Sequence, residues 1–112
     1  MKPTRYYSDK QEKHIAKAIG GKQVANSGAT PFNKGDVIDK NWLIECKTKT
    51  KDGKSFTVQK SWLDKNKEEA FAMGKPYSAL AIDFGGGENY YVLDEKTFLR
   101  MKASFDVDEG EF

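Results

Sequence analysis

The chain has 112 residues, 38% hydrophobic and 32% charged, which supplies one small core and leaves little for a second. A single cysteine, Cys46, and a single histidine, His14, exclude an internal disulfide and any cysteine-rich or histidine-rich zinc site. Oxygen-bearing acids are left as the metal ligands available in number. The net charge of +2 hides an asymmetry: residues 106–112, DVDEGEF, hold four acids and no base, so residues 1–105 set 19 basic groups against 13 acidic ones. That balance suits a polyanionic partner, and equally a solvated lysine-rich surface.

No apolar run approaches the ~20 residues of a membrane span, and the opening MKPTRYYSDK lacks the apolar stretch of a signal peptide. A reducing, cytoplasmic setting without a membrane partner is expected.

Residues 8–19 are expected to form a helix. Ser8 and Gln11 make a capping-box start, Ile15, Ala16, Ala18 and Ile19 an apolar stripe, and Gly20-Gly21 the end. Glu12 falls three before Ile15 and seven before Ile19, on the same inward stripe. An acid there needs a partner, a metal, or an escape to solvent at the helix end. A short strand over 22–26 is followed by SGATPFNKG, a loop of small and turn-forming residues.

A hairpin follows, with 36–38 as its first strand, 39–41 as its turn and 42–49 as its return. On the return strand Trp42, Ile44, Cys46 and Thr48 point one way and Leu43, Glu45, Lys47 and Lys49 the other. Asp52-Gly53 signals a turn, and a further strand over 54–58 is expected, with Gln59 on the face of Ser55 and Thr57. A second helix covers 61–73, with Ser61 and Asp64 as a capping pair, Leu63, Ala70 and Met73 facing inward, and Gly74 and Pro76 closing it. YSALAIDF, 77–84, reads as a strand buried on both faces. The run Gly85-Gly86-Gly87 lacks the lysine and helix start of a nucleotide loop and reads as a turn into a strand over 89–93. A short helix over 95–101 and a loose acidic tail complete a mixed sheet flanked by helices, an α/β (α+β) chain of order α-β-β-β-α-β-β with one domain over 1–105 and a tail over 106–112.

The chemistry concentrates in GDVIDKNWLIECKTK, residues 35–49. Glu45 and Lys47 are two apart on a strand and share a face, with Cys46 between them turned into the core and its carbonyl near the strand end. Asp36 lies across the hairpin, close enough for its carboxylate to meet that of Glu45. Two such acids repel unless a cation lies between them, and magnesium is the hard ion such a pair holds. Lys47 beside them can neutralise charge building on a phosphate. An ordinary wet strand face also carries Glu-x-Lys, so the tripeptide alone leaves both readings open.

Glu12, Gly35-Asp36, Glu45-Cys46-Lys47 and Gln59, in that order, resemble the PD-(D/E)XK nuclease superfamily, and in length and layout its small archaeal and phage-type Holliday junction resolvases. The resemblance spans residues 8–84, with glycine standing where relatives carry proline before the first acid. It implies a restriction-endonuclease-like fold and a magnesium-dependent DNA endonuclease, with manganese expected to substitute. Asp36, Glu45 and the Cys46 carbonyl would hold the metal, with Glu12 nearby, through water if at all. Lys47 would be the catalytic lysine, Gln59 a polar partner in the site, and Ser27 a contact to the cleaved backbone.

The expected partners are branched four-way DNA junctions and a second copy of the chain, in the cytoplasm (the host's, for a phage protein) at the nucleoid. Lys34, Lys49, Lys51, Lys54, Lys60 and Arg5 are candidates to grip phosphates, or members of a solvated surface. His14 reads as surface or cap, and Trp42, Trp62 and Phe71 as core or dimer contacts before base-stacking platforms. Two other readings stay open: another small nuclease of the superfamily, for repair, nicking or flap trimming, and a non-catalytic DNA-binding protein on the same fold.

Overall fold

The computed structural model describes residues 2–24 and 36–110, the last three by backbone alone. Over these described residues the fold is mixed α/β, a five-stranded mixed sheet with three helices. In chain order these are α1 Thr4–Ile19, β1 Lys22–Gln23, β2 Asp36–Ile38, β3 Trp42–Thr48, α2 Lys60–Ala72, β4 Tyr77–Asp83, β5 Asn89–Val92 and α3 Glu95–Gly110. The strands lie in sequence order across the sheet, antiparallel except for the parallel pair β3–β4.

The parity read from β3 divides the two faces. Ile44 and Cys46 turn to one side, where they pack with Ile15 of α1, Val37, Ala79 and Ala81, bordered by Ala16, Ile19, Trp42 and Leu93. Leu43, Glu45 and Lys47 turn to the other, beside Leu80 and Ile82 in register on β4. That second face is covered by α2, whose buried Asn66 donates from Nδ2 to the Ala79 carbonyl at 3.0 Å. β4 is buried on both faces from Ala79 to Asp83, as its unbroken apolar run implies.

Several local expectations fail for physical reasons. α1 begins at Thr4 after Pro3, with no side-chain cap; Ser8 lies inside the helix, its Oγ turned back onto the Thr4 and Arg5 carbonyls. Pro3 stands at the N-cap in extended backbone and has no side-chain acceptor, so the helix starts without a capping box. The stop at Gly20 stands: its φ is +72° and the Gly21 N–H reaches the Ala16 carbonyl at 2.8 Å. α2 starts from Gln59 with no side-chain cap, because Asp64 is taken by Lys60 at 2.9 Å. Met73 is exposed at its end, and the inward positions are Asn66 and Ala70.

Residues 54–58 form no strand. Parallel β3 and β4 need a crossover between them, and both sides of each strand are already occupied, so residues 49–59 leave the sheet to reach α2. The segment is tied to the end of β4 by hydrogen bonds from Lys49 N to Asp83 O (3.1 Å) and Gly53 N to Phe84 O (2.8 Å), and by Phe56 edge-on to Phe84. The triglycine is a turn as read, held by Asp83 Oδ1 accepting from Gly85 N (2.7 Å) and Gly87 N (3.0 Å). α3 runs to Gly110, well beyond the expected 95–101, and takes in most of the acidic segment. No helix among the described residues is long and apolar enough to cross a membrane.

Gly85 has φ +108°, and a Cβ there would stand 2.4 Å from the Lys51 carbonyl oxygen. Gly85→Ala is expected to lower stability by about 1–3 kcal/mol, measured by chemical denaturation, while Gly86→Ala, whose Cβ would meet only the Asp52 carboxylate at 3.6 Å, changes it by a few tenths.

Candidate active site

Asp36 and Glu45 are direct cross-strand partners. The Asp36 carbonyl accepts from Val24 N at 3.1 Å, so its backbone faces β1. The Asp36–Glu45 pair is therefore of the non-hydrogen-bonded kind, with Cα atoms only about 4.5 Å apart and side chains close. Asp36 is 2% exposed, and the Glu45 side chain is 14% exposed. The register has thus pressed two carboxylates together out of water. By the same alternation, Lys49 N bonds to β4, so the Cys46 carbonyl points away from β4, toward the side of Asp36. The Cys46 thiol faces the core, and burial pushes its pKa up.

Burial first, and then the charge of Glu45, push the Asp36 carboxyl up to about 8; Glu69 and Glu12 add to the rise and Lys47 opposes it. Asp36 therefore keeps its proton at neutral pH. Lys47 Nζ lies 3.7 Å from Glu45 Oε2, an ion pair too long for a hydrogen bond, and that oxygen has no hydrogen-bond partner among the described residues. The ammonium sits 4.3 Å over the ring of Trp62 on α2, whose π face holds a cation in place. Its main chain is fixed from the other face: buried Gln11 of α1 donates to the carbonyls of Lys47 (2.9 Å) and Ala81 (3.1 Å), tying β3 to β4.

Glu69 of α2 is the acid that sequence reasoning missed. It lies near enough for its charge to act on Asp36 and for Glu45 to act on it. Burial raises its pKa, and its Oε1 finds no hydrogen bond among the described residues, Lys65 standing 3.8 Å away. The signal was the spacing Trp62, Asn66, Glu69, Ala70, which marks one helix face once Asn66 is counted as inward.

Glu12 is inward as expected, at 1% exposure, but its helix packs on the opposite face of the sheet. Its carboxylate accepts from Gln23 Nε2 (3.2 Å) and pairs with Arg5 (3.4 Å). Burial is the largest influence on it and raises its pKa. Gln59 does not join the face of Glu45 on a neighbouring strand; it is the exposed residue before α2, three before Trp62. Ser27, Lys34 and Gly35 lie outside the described residues. Of the other basic candidates, Arg5 is engaged by Glu12 and Lys60 by Asp64. Lys49, half-buried, and Lys51 and Lys54, exposed, lie beyond the end of β3 past Lys47.

Among the described residues no three acid, histidine or cysteine side chains converge closely enough to enclose a metal ion. Two neighbouring carboxylates and a backbone carbonyl suit magnesium, which completes its shell with water and phosphate. A buried carboxyl that holds a proton at neutral pH, beside a second carboxylate oxygen without a donor, is a site a cation would fit.

The Asp36 shift sets a pH dependence. Its folded pKa is raised above the unfolded value, so the folded state binds the extra proton, and stability falls as pH rises from about 4 through about 8. In denaturant titrations with EDTA, Asp36→Asn is expected to be indistinguishable from the parent near pH 4 and more stable above pH 8. The gap should widen by up to ~1.4 kcal/mol per pH unit across that window.

Compared with protein-family models, curated proteins and solved structures, the chain matches none.

Proposed function

We propose that this chain is a magnesium-dependent DNA endonuclease of restriction-endonuclease-like fold, most closely a resolvase that places paired nicks in four-way DNA junctions as a homodimer. The observation that carries the reading is the forced juxtaposition of Asp36 and Glu45 with Lys47 on the same sheet face. It is supported by a mixed sheet with α1 and α2 on opposite faces and by the basic balance of residues 1–105. In this reading Asp36, Glu45 and the Cys46 carbonyl hold the ion, which supplies positive charge to the phosphodiester and makes water a stronger nucleophile.

The chain's own groups do the rest. Asp36 would have to give up its proton to hold a cation, so magnesium binding is expected to liberate protons below about pH 8. Lys47, steadied by Trp62, stands where its ammonium can meet the phosphate and offset the charge that develops as water attacks in line. Gln11 keeps that lysine's backbone from shifting. Lys49, Lys51 and Lys54 extend the positive surface along the duplex.

On a gel with magnesium, four-way junctions are expected to be cut by paired, symmetric nicks, and linear duplex to be spared. Equal cutting of linear duplex rejects the resolvase assignment and leaves another small nuclease of the superfamily. Asp36→Asn and Glu45→Gln should each reduce cleavage by 10³-fold or more. Junction binding should be kept in the first, where a neutral carboxyl becomes an amide, and kept or tightened in the second, which removes a charge that repels phosphate. Undiminished cleavage by either variant overturns the site.

The Lys47–Glu45 ion pair stacked on Trp62 also favours a second reading, a non-catalytic DNA-binding protein in which these residues are structural. There, EDTA would leave function unchanged and no variant would separate binding from cutting. Titration calorimetry with magnesium in two buffers of different ionisation enthalpy divides the readings without a substrate: the nuclease reading expects proton release that Asp36→Asn abolishes, and the structural reading expects no heat.

A further inference from the structure

Among the described residues, α3 is the element whose apolar side chains its own chain leaves most open. It makes no extensive packing with any other helix or strand, and Phe98, Leu99, Met101, Phe105 and Val107 are 47–64% exposed. At sixteen residues α3 is barely longer than the ~12–15 below which an unsupported helix is marginal in water. Phe98, Met101 and Phe105, spaced three and four apart, line one seam. Beside its first turns, on the sheet face away from Glu45 and Lys47, lies an apolar groove of about 270 Å³ between Ile19, Trp42, Tyr91, Leu93 and Met101. The seam and the groove are neighbours on one molecule, which is what a self-complementary contact requires.

Charge selects the occupant. The first half of α3 carries Lys96, Arg100 and Lys102 against Glu95, whereas residues 106–109 carry three acids and no base. Lys102 and Asp106 pair within the helix, and the opposition of the two ends remains. A second α3 laid antiparallel brings basic half to acidic half at both ends; a parallel one brings like to like.

We infer that the chain forms a two-fold homodimer through antiparallel α3 helices, with the Phe98 and Phe105 rings meeting across the axis and each copy's Phe105 end covering the groove beside the other's Met101. A stable interface buries ~800 Å² per partner, and the groove adds to what the helix seam can cover. The nuclease reading calls for a homodimer without saying where it forms, and the α3 surface adds that. Its groove lies on the other face of the sheet from Glu45 and Lys47, and its test uses no DNA, so the two can fail separately.

Light scattering after size exclusion, on the full chain at tens of micromolar, is expected to give the dimer mass. Phe98→Glu with Phe105→Glu should give the monomer, with the far-UV spectrum showing the sheet retained. Two charge variants extend the test: Lys96→Glu with Arg100→Glu, and Asp106→Lys with Asp108→Lys. Each alone should weaken self-association at least tenfold, and an equimolar mixture should restore it. A cysteine replacing Lys96 and one replacing Val107 should cross-link when the two variants are mixed, and neither should cross-link alone. A monomeric parent chain, a dimer that survives the double glutamate variant, or a monomer whose α3 instead drives sedimentation with phosphatidylcholine vesicles overturns the inference.

Discussion

The pairing of Asp36 with Glu45 is the constraint around which the rest of the structure is arranged. Two acids facing each other across an antiparallel pair destabilise it, and burial makes the repulsion worse. The β2–β3 register nevertheless cannot relax. Val37 opposite Ile44 and Ile38 opposite Leu43 are the apolar neighbours of the acid pair, and Val37, Leu43 and Ile44 are core residues. A slip of one residue would turn that whole set to the wrong face. The hydrophobic core thus fixes the register, and the register holds the two carboxyl groups together, with Asp36 keeping its proton up to about pH 8.

The two helices serve the same point from opposite sides. α1 reaches the end of β3 through Gln11, which bonds the Lys47 and Ala81 carbonyls, while α2 presents Trp62 to the Lys47 ammonium and Glu69 to the acid pair. Lys47 is therefore held at its backbone by one layer and at its charged tip by the other. α2 is itself seated by Asn66 on β4, so the tip is positioned relative to the same strand that Gln11 clamps. Neither helix needs a strong apolar stripe for this, which fits a chain of modest hydrophobic content.

How far the sequence could be read follows from which forces were local. The alternation in β3 and the unbroken apolar run of β4 are direct records of burial, and the inward Glu12 followed from helical spacing alone. The strand expected at 54–58 failed because alternation cannot show that β2 and β5 already occupy the free sides of β3 and β4. Gln59 was displaced with it, since its expected place depended on that strand. Glu69 was hidden because the buried face of α2 is marked by an asparagine as much as by apolar residues. The length of α3 was obscured by its acidic end, which reads as a tail until the pairing of Lys102 with Asp106 one turn apart is seen.

A purely structural account of Glu45 and Lys47 leaves Asp36 unexplained. An ion pair on a sheet face needs one acid and one base, and Lys47 and Glu45 already supply both. Adding a second acid directly opposite, 2% exposed and carrying a proton to about pH 8, weakens the fold at neutral pH, where an asparagine of the same shape would not. Glu69 raises the repulsion further and gains no hydrogen bond at Oε1 in return. Perturbed acids of this kind gather where a charge is to be received. On the proposed reading, a divalent cation between the carboxylates would offset their repulsion and leave Lys47 to meet a phosphate, which gives the second acid a role that an ion pair alone does not.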